Sequence, residues 1–239
     1  MLDSLKLDHV VFIDIETVSQ KESYQKLEPE WKKLWDRKAA FIRKQEENEE
    51  DVYQRAGIYA EFGKVICISV GVYREVEGQR QFRIKSFYGK DEKKLLTDFS
   101  NLLKKHFNTD DYLLCAHNGK EFDFPFLARR MLINHIKLPY LLDTAGRKPW
   151  EVQHLDTLQL WKFGDYKHYT SLDLLSQLFG IPSPKNNMTG ADVGKVFWEE
   201  DKLEKIVAYC QSDTLTVAQL LLAYKGLSPI KDKEVTIAS

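Results

Sequence analysis

Short apolar runs rich in β-branched residues alternate along this chain with longer stretches in which apolar residues recur every three or four positions. Both faces of a buried strand accept apolar side chains, whereas a helix on a protein surface needs only one apolar stripe. The strand-like runs are residues 9–13, 64–73, 81–88 and 112–116, with a last strand expected within 154–160. The helical patterns are residues 91–107, 122–136, 171–179 and 201–224. This alternation predicts an α/β fold in which helices cover a mixed sheet.

Composition supports one globular domain of ordinary type. The 239 residues carry 35 basic and 36 acidic side chains, a formal net charge of −1. This balance makes wholesale disorder unexpected and argues against a protein that coats nucleic acid through bulk positive charge. The first residues lack a secretory pattern, and no run approaches the roughly 18 apolar residues of a membrane span. Three scattered cysteines in apolar runs indicate buried thiols, so we expect a cytoplasmic protein that does not contact a membrane.

Residues 21–51 differ in character from the rest of the chain, because more than half of them are charged. Trp31, Leu34, Trp35 and Ile42 recur at helical spacing, which predicts one or two amphipathic helices inserted between strands. We favour an apolar stripe that packs on the body of the protein over an arm that binds a partner or gates the substrate.

Two carboxylates, Asp14 and Glu16, stand two positions apart where the first apolar run ends. Because side chains alternate along a strand, both face one side of the sheet, with Cα atoms roughly 6.5–7 Å apart. Buried together they would repel each other, and a divalent cation would remove that repulsion. An exposed acid at the end of a strand is the simpler alternative.

Two further acids interrupt apolar helical patterns. Asp123 lies in the helix start FDFPFL, where a carboxylate could simply complement the helix dipole. Tyr209 and Asp213 stand four positions apart in the last helical pattern, so their Cβ atoms lie roughly 5–6 Å apart on one face. An exposed polar face would also explain that pair.

Taken together, the segments FIDIET (residues 12–17), NGKEFD (118–123) and Tyr209-x-x-x-Asp213 resemble the three motifs of the DEDD (DnaQ-like) 3′–5′ exonucleases. Because the third motif carries a tyrosine, the chain resembles the DEDDy branch of this family, which includes the proofreading domains of family B DNA polymerases and ribonuclease D. The histidine branch places His where this chain has Ala208. Each motif alone is a weak signal, but three in the right order are specific. The resemblance covers most of the chain and is closest to a free-standing polymerase-type exonuclease domain.

The resemblance implies a ribonuclease H-like fold, a mixed five-stranded β-sheet flanked by α-helices. We expect one exonuclease domain at residues 1–226, including a charged helical insertion at 19–57, and a loose C-terminal tail at 227–239.

The resemblance also implies a metal-dependent enzyme that hydrolyses single-stranded nucleic acid from its 3′ end and releases nucleoside 5′-monophosphates. Two divalent ions, Mg²⁺ or Mn²⁺, would lie about 3.5–4 Å apart. The implied metal ligands are Asp14, Glu16, Asp123 and Asp213. Tyr209 would orient the attacking water, and Thr17, Asn118 and Phe122 would hold the terminal nucleotides. The polymerase-like second motif favours DNA over RNA and leaves proteins of replication or repair as candidate partners.

Other polar and aromatic residues near the motifs are weaker candidates for substrate contacts. For each of them a helix-face charge, a core ring or a structural histidine is the favoured interpretation. They are Lys120, Arg129, Arg130, Lys162, Lys167, Lys185, Phe124, Trp161, Tyr169, His117 and His168. Asp156 follows the last expected strand, and we assign it no metal.

Three alternatives stay open on the sequence. An exoribonuclease of ribonuclease D type would use the same motifs on RNA. A non-catalytic nucleic-acid-binding module could retain the fold. A haloacid-dehalogenase-like phosphatase has a D-x-D-x-T loop that Asp14-Ile-Glu16-Thr17 resembles only superficially, and it leaves Asp123 and Asp213 unexplained.

Overall fold

The computed structural model of the protein describes residues 2–165, 167, 169–182 and 188–238. Within these ranges six strands form one sheet, in the order β5-β4-β1-β2-β3-β6. The strands are β1 (Val10–Ser19), β2 (Gly63–Val76), β3 (Gln79–Tyr88), β4 (Leu113–Ala116), β5 (Leu155–Asp156) and β6 (Val235–Ala238). The helices are α1 (Pro29–Ala39), α2 (Glu92–His106), α3 (Asp123–Ile133), α4 (Thr157–Lys162), α5 (Leu172–Leu178), α6 (Val193–Trp198) and α7 (Leu203–Tyr224). The predicted α/β class with a mixed sheet is confirmed.

β1 is a central strand, parallel to β4 and antiparallel to β2. The sequence predicted that its apolar run ends at Ile13, but the strand continues to Ser19, because its pairing with β2 extends as far as Ser19 opposite Gly63. Asp14 and Glu16 therefore lie inside a paired strand and not beyond its end.

The C-terminal segment corrects the expectation of a loose tail. Residues 235–238 form β6, which runs parallel to β3 with Val235 opposite Phe82. This pairing raises the number of strands from the expected five to six. A strand of only four residues carries little sequence signal of its own, and it forms because β3 offers an unpaired edge.

Helices cover the two faces of the sheet, and the alternation of side chains along β1 decides which residues meet which helices. Val11, Ile13 and Ile15 pack in the core with α2 and α3. Val10 and Phe12 pack on the other face with the second half of α7, and Val18 packs there with α6 and the first half of α7. The side chains of Asp14 and Glu16 therefore belong to the face that α7 covers.

Helix α7 is long and apolar enough to cross a membrane by length and composition alone. Most of its apolar window is buried, with Ile206, Cys210, Val217 and Leu221 packed against the sheet. A core helix passes the same test, and burial against the sheet accounts for its composition.

The charged segment after β1 contains α1 and two short 3₁₀ helices at Tyr24–Lys26 and Tyr53–Ile58. Trp35 on α1 is fully buried in a small cluster with Tyr53, and its indole N–H donates to the carbonyl of Glu49 at 2.7 Å. The predicted apolar stripe packs only in part, since Trp35 is fully buried whereas Leu34 is 46% exposed.

Candidate active site

β1 and α7 bring the first and third motifs together. Cys210 lies on α7 between Tyr209 and Asp213, and its thiol donates to the backbone carbonyl of Asp14 at 3.3 Å. One ligand atom each of Asp14, Glu16 and Cys210 lie within 4.8 Å of one another. Residues almost two hundred positions apart in the sequence thus share one small space.

The second motif reaches the same space from the start of α3. The Asp123 side chain is only 4% exposed, and it accepts a hydrogen bond from the backbone N–H of Ile15 on β1. β4 pairs with β1 only as far as Phe12 opposite Cys115, so the N–H of Ile15 remains available for that side chain. The contact fixes the beginning of α3 against the strand that carries Asp14 and Glu16.

The electrostatic effect of this convergence is a set of carboxyl groups that resist ionisation. Burial, and after it the charges of Glu16, Asp213 and Asp123, raise the pKa of Asp14 well above its ordinary value. Burial and the charge of Asp213 do the same to the pKa of Glu16. Burial is also the main cause that raises the pKa of Asp123 to about 7 and that of Asp213 to about 6. Asp14, Glu16 and Asp123 each feel the charge of Asp213, as expected for acids in one pocket, and the charge of Asp173 raises the pKa of Asp213 further.

Tyr209 completes the group of five. Its phenol donates a hydrogen bond to the carboxylate of Asp213, one helical turn further along α7. Burial and the charges of Asp213, Glu16 and Asp14 raise the pKa of the phenol far above its ordinary value. Tyr209 therefore stays protonated and acts as a hydrogen-bond donor.

The side chains of this site fit a divalent metal ion. Among the described residues, no lysine or arginine forms a salt bridge with Asp14, Glu16, Asp123 or Asp213. The Oδ2 atom of Asp14 is buried and has no hydrogen-bond partner in the described part of the chain. Hard oxygen ligands of this kind suit Mg²⁺ or Mn²⁺.

Cys210 is a poor metal ligand in this arrangement. Its S–H group is engaged with the carbonyl of Asp14, and burial raises the pKa of the thiol well above its ordinary value. A thiol binds metals as a thiolate. Carboxylate oxygens are therefore the ligands that the chemistry favours, first those of Asp14 and Glu16, whose pKa values are also raised by the charges of Asp123 and Asp213.

The loop that carries Asn118 is held by a residue to which sequence analysis gave no role. Asp156 is 2% exposed and accepts hydrogen bonds from the backbone N–H groups of Asn118 at 3.0 Å and Lys120 at 3.1 Å. It also accepts from the N–H groups of Leu158 and Gln159 at the start of α4. The signal available in the sequence was an Asp between a strand run and a helix start, which is the pattern of an N-cap.

The substrate-binding candidates lie in different surroundings. Thr17 follows a β-bulge after Glu16 and pairs with Val65, and its hydroxyl donates to the carbonyl of Gly57 at 2.8 Å. Asn118 has φ of 61°, a left-handed conformation that Asn tolerates well. Phe122 directly precedes α3 and is partly buried against the core.

Three of the weaker candidates prove to be structural. Arg130 is buried in a bidentate ion pair with Glu92, its Nε at 2.8 Å from Oε1. His117 is held by Thr157 and by the carbonyl of Thr170. Trp161 packs on other aromatic rings. His168 and Lys185 lie outside the described residues.

Comparison with known proteins gives one family. A family model described as "Predicted 3'-5' exonuclease related to the exonuclease domain of PolB" matches residues 58–233, well over half of the chain. The matched range contains Asn118, Asp123, Tyr209 and Asp213, whereas Asp14 and Glu16 precede it. No curated protein in the comparison matches the chain.

Proposed function

Because the chain belongs to the family of predicted 3′–5′ exonucleases related to the exonuclease domain of PolB, we propose that it shortens single-stranded nucleic acid from the 3′ end with the help of divalent metal ions. Enzymes of this kind are hydrolases that act on phosphodiester bonds. The observation that supports the metal dependence most directly is a set of four carboxylates, two buried and two partly buried, with which no basic side chain of the described residues forms a salt bridge. DNA is the favoured substrate, and nucleoside 5′-monophosphates are the products.

In this proposal Asp14, Glu16 and Asp213 would hold a divalent ion that activates the attacking water, and Asp14 would also serve as a ligand of a second ion. Mg²⁺ or Mn²⁺ bound there would lower the pKa of a water molecule and neutralise charge at the leaving oxygen. Asp123 supports the ligands from the start of α3. The Tyr209 phenol, held by Asp213, orients the water without ionising.

The residues around the acids position the substrate. Asn118 and Phe122 flank the loop before α3, and the backbone of Thr17 directly follows Glu16. Asp156 is a positioning residue, because its hydrogen bonds to the Asn118 loop set where that loop meets the terminal nucleotides.

The direct test uses 5′-labelled single-stranded DNA, duplex DNA and RNA, each incubated with the protein and Mn²⁺. We expect a ladder of products shortened from the 3′ end, fastest on single-stranded DNA, that a chelator abolishes. Asp14→Asn and Asp213→Asn should lose the activity by at least about a thousandfold, because each removes a ligand. Glu121→Gln, an exposed acid two residues before Asp123, is the matched control and should retain it.

Two results would contradict the proposal. If Asp14→Asn or Asp213→Asn hydrolyses DNA like the unchanged protein, the site is elsewhere. If RNA is shortened faster than DNA, the enzyme is an exoribonuclease and the substrate assignment is wrong.

A further inference from the structure

A lysine lies on the same face of the sheet as the acids and close to them. Lys64 is the second residue of β2 and lies opposite Val18, which is two residues beyond Glu16 on β1. Residues opposite each other in an antiparallel pair point to the same face, and two or three strand residues span roughly 7–10 Å. Lys64 thus lies beyond the proposed catalytic centre, at the distance of a neighbouring nucleotide.

Two aromatic rings hold this lysine in place. Its ammonium lies 4.5 Å from the ring centre of Trp198 and 5.0 Å from that of Phe197, the last two residues of α6. Phe197 is buried in the core between α6 and the sheet, and Trp198 is partly buried beside it. A cation over two rings keeps its position but retains its charge.

Lys64 differs from the neighbouring lysines in having no acidic partner. Lys21 pairs with Glu28 at 2.9 Å, and Lys90 pairs with Asp201 at 2.7 Å. Among the described residues, no carboxylate lies within salt-bridge distance of Lys64. Glu92, the acid that most raises its pKa, is engaged in the ion pair with Arg130.

The surroundings of Lys64 favour an anion. Burial lowers the pKa of its ammonium, and the positive charges of Arg130, Lys90 and Lys21 lower it further. A half-buried cation without a counter-charge costs free energy, which an anion at the ammonium would offset. A nucleic-acid strand carries one negative charge per nucleotide, so a strand that ends at the acids brings phosphates to this distance.

We propose that Lys64, clamped by Phe197 and Trp198, binds a backbone phosphate of the substrate strand upstream of the bond that is cleaved. This inference rests on the proposed function, because it takes the acids as the place where the 3′ end lies. The lysine acts as a point charge, so the contact is independent of base sequence. It directs the strand along the end of the sheet, past α6.

The first test compares Lys64→Gln with the unchanged protein in DNA binding at several salt concentrations and in steady-state hydrolysis. We expect KM to rise about five- to tenfold with kcat unchanged, and the slope of log affinity against log salt to fall by about 0.7, the loss of one phosphate contact on a single strand. Lys64→Arg should retain most of the affinity. Lys90→Gln, which removes a nearby paired lysine, is the matched control and should change neither quantity.

The second test locates the phosphate. A series of single strands carries one neutral methylphosphonate each, placed at successive positions from the 3′ end. One strand of the series, with the replacement near the 3′ end, should bind the unchanged protein more weakly than the others. Lys64→Gln should show no extra loss at that position, because the contact is already absent.

The outcomes separate the two proposals. The slope of log affinity against log salt is measured by binding alone and does not depend on hydrolysis. If Lys64→Gln leaves this slope unchanged, the phosphate contact is wrong even when the protein shortens DNA from the 3′ end. If Lys64→Gln instead weakens inhibition by a nucleoside 5′-monophosphate while the methylphosphonate pattern stays as in the unchanged protein, Lys64 binds the free product and the strand assignment is wrong. If no DNA is shortened, the proposed function fails on its own test.

Discussion

Asp14 and Glu16 lie in the middle of a central strand, where apolar side chains would stabilise the sheet and carboxylates cost free energy. The cost is visible as raised pKa values, because each group is buried beside other acids. A divalent cation reverses that cost, so the residues that weaken the metal-free fold are those that would hold the metal.

The raised pKa of Asp123 gives the metal-free protein a pH dependence with a definite sign. An unfolded Asp has a pKa of about 3.9, whereas in the fold the pKa of Asp123 is about 7. Between these two pKa values the folded state binds more protons than the unfolded state. The contribution of this group to the free energy of unfolding is therefore complete below about pH 4 and is lost as pH rises through about 7. We expect Asp123→Asn to gain thermal stability relative to the unchanged protein as pH rises from 4.5 to 8, by several degrees, in chelator-treated samples.

Glu121→Gln serves as the reference for that titration, because its side chain is exposed and lies on the same loop. Its melting temperature should follow that of the unchanged protein at every pH. A difference between Asp123→Asn and the unchanged protein that does not vary with pH would show that Asp123 is ionised throughout the range.

Tyr209 is expected to affect the rate more than metal binding. Tyr209→Phe keeps the ring and removes the hydroxyl that donates to Asp213. We expect kcat to fall about 10- to 100-fold, the size of a lost positioning contact, while metal-induced thermal stabilisation stays nearly complete.

Tyr224→Phe removes another phenol hydroxyl from the same helix, one that donates to the carbonyl of Thr157. It should leave kcat unchanged. A second measurement compares the pH dependence of kcat in the unchanged protein and both variants. If the fall of kcat at one end of the pH range disappears only in Tyr209→Phe, the Tyr209 phenol ionises, contrary to its raised pKa.

At the scale of elements, β1 is positioned from several sides. α7 contacts it through Cys210, α3 through Asp123, and the 3₁₀ helix Tyr53–Ile58 lies across its second half. Thr17 joins that 3₁₀ helix through its hydrogen bond to Gly57. The connection between β1 and β2 therefore supports the strand that carries the acids.

The close approach at Gly57 makes this support testable. A Cβ atom there would lie 3.1 Å from the carbonyl carbon and 3.2 Å from the Cα atom of Val18, both backbone atoms of β1. We expect Gly57→Ala to lower the free energy of unfolding by about 1–3 kcal/mol through overpacking and to weaken metal-induced stabilisation, measured by denaturant titration with and without Mn²⁺.

Gly190→Ala is the control, since no atom lies within 4 Å of a Cβ built at that position. It should be close to neutral in both measurements. If Gly57→Ala were equally neutral, the 3₁₀ helix would move freely and would not position β1.

For the whole molecule, metal binding and folding are linked. Ions that bind only the folded state stabilise it by about 2.7 kcal/mol at a hundredfold excess over Kd, which for a chain of this size raises the melting temperature by about 5–10 °C. We expect that rise with Mn²⁺ or Mg²⁺, and its absence in Asp14→Asn. Calorimetry that finds no shift at millimolar metal would contradict the site.

Much of this architecture was predictable, because it follows from local periodicity. Alternating short apolar runs and helical stripes predicted the α/β class, and the helical pattern at 171–179 corresponds to α5, where the Ser171 side chain accepts a hydrogen bond from the N–H of Leu174. The fifth and sixth strands were harder to predict from the sequence, because β5 has only two residues and β6 forms only against the edge of β3. Short strands owe their existence to a partner, and no partner is visible in a local window.

The sequence by itself determined which five side chains to examine, Asp14, Glu16, Asp123, Tyr209 and Asp213, since their spacing and apolar context are local properties. Only the tertiary structure decided that they converge, that β1 continues through the acids, and that Asp156 and Lys64 stand beside them. The physical reason is that these contacts join distant positions, such as Cys210 to Asp14. Burial, which raises the pKa values and leaves Lys64 without an acidic partner, exists only once those positions are packed together.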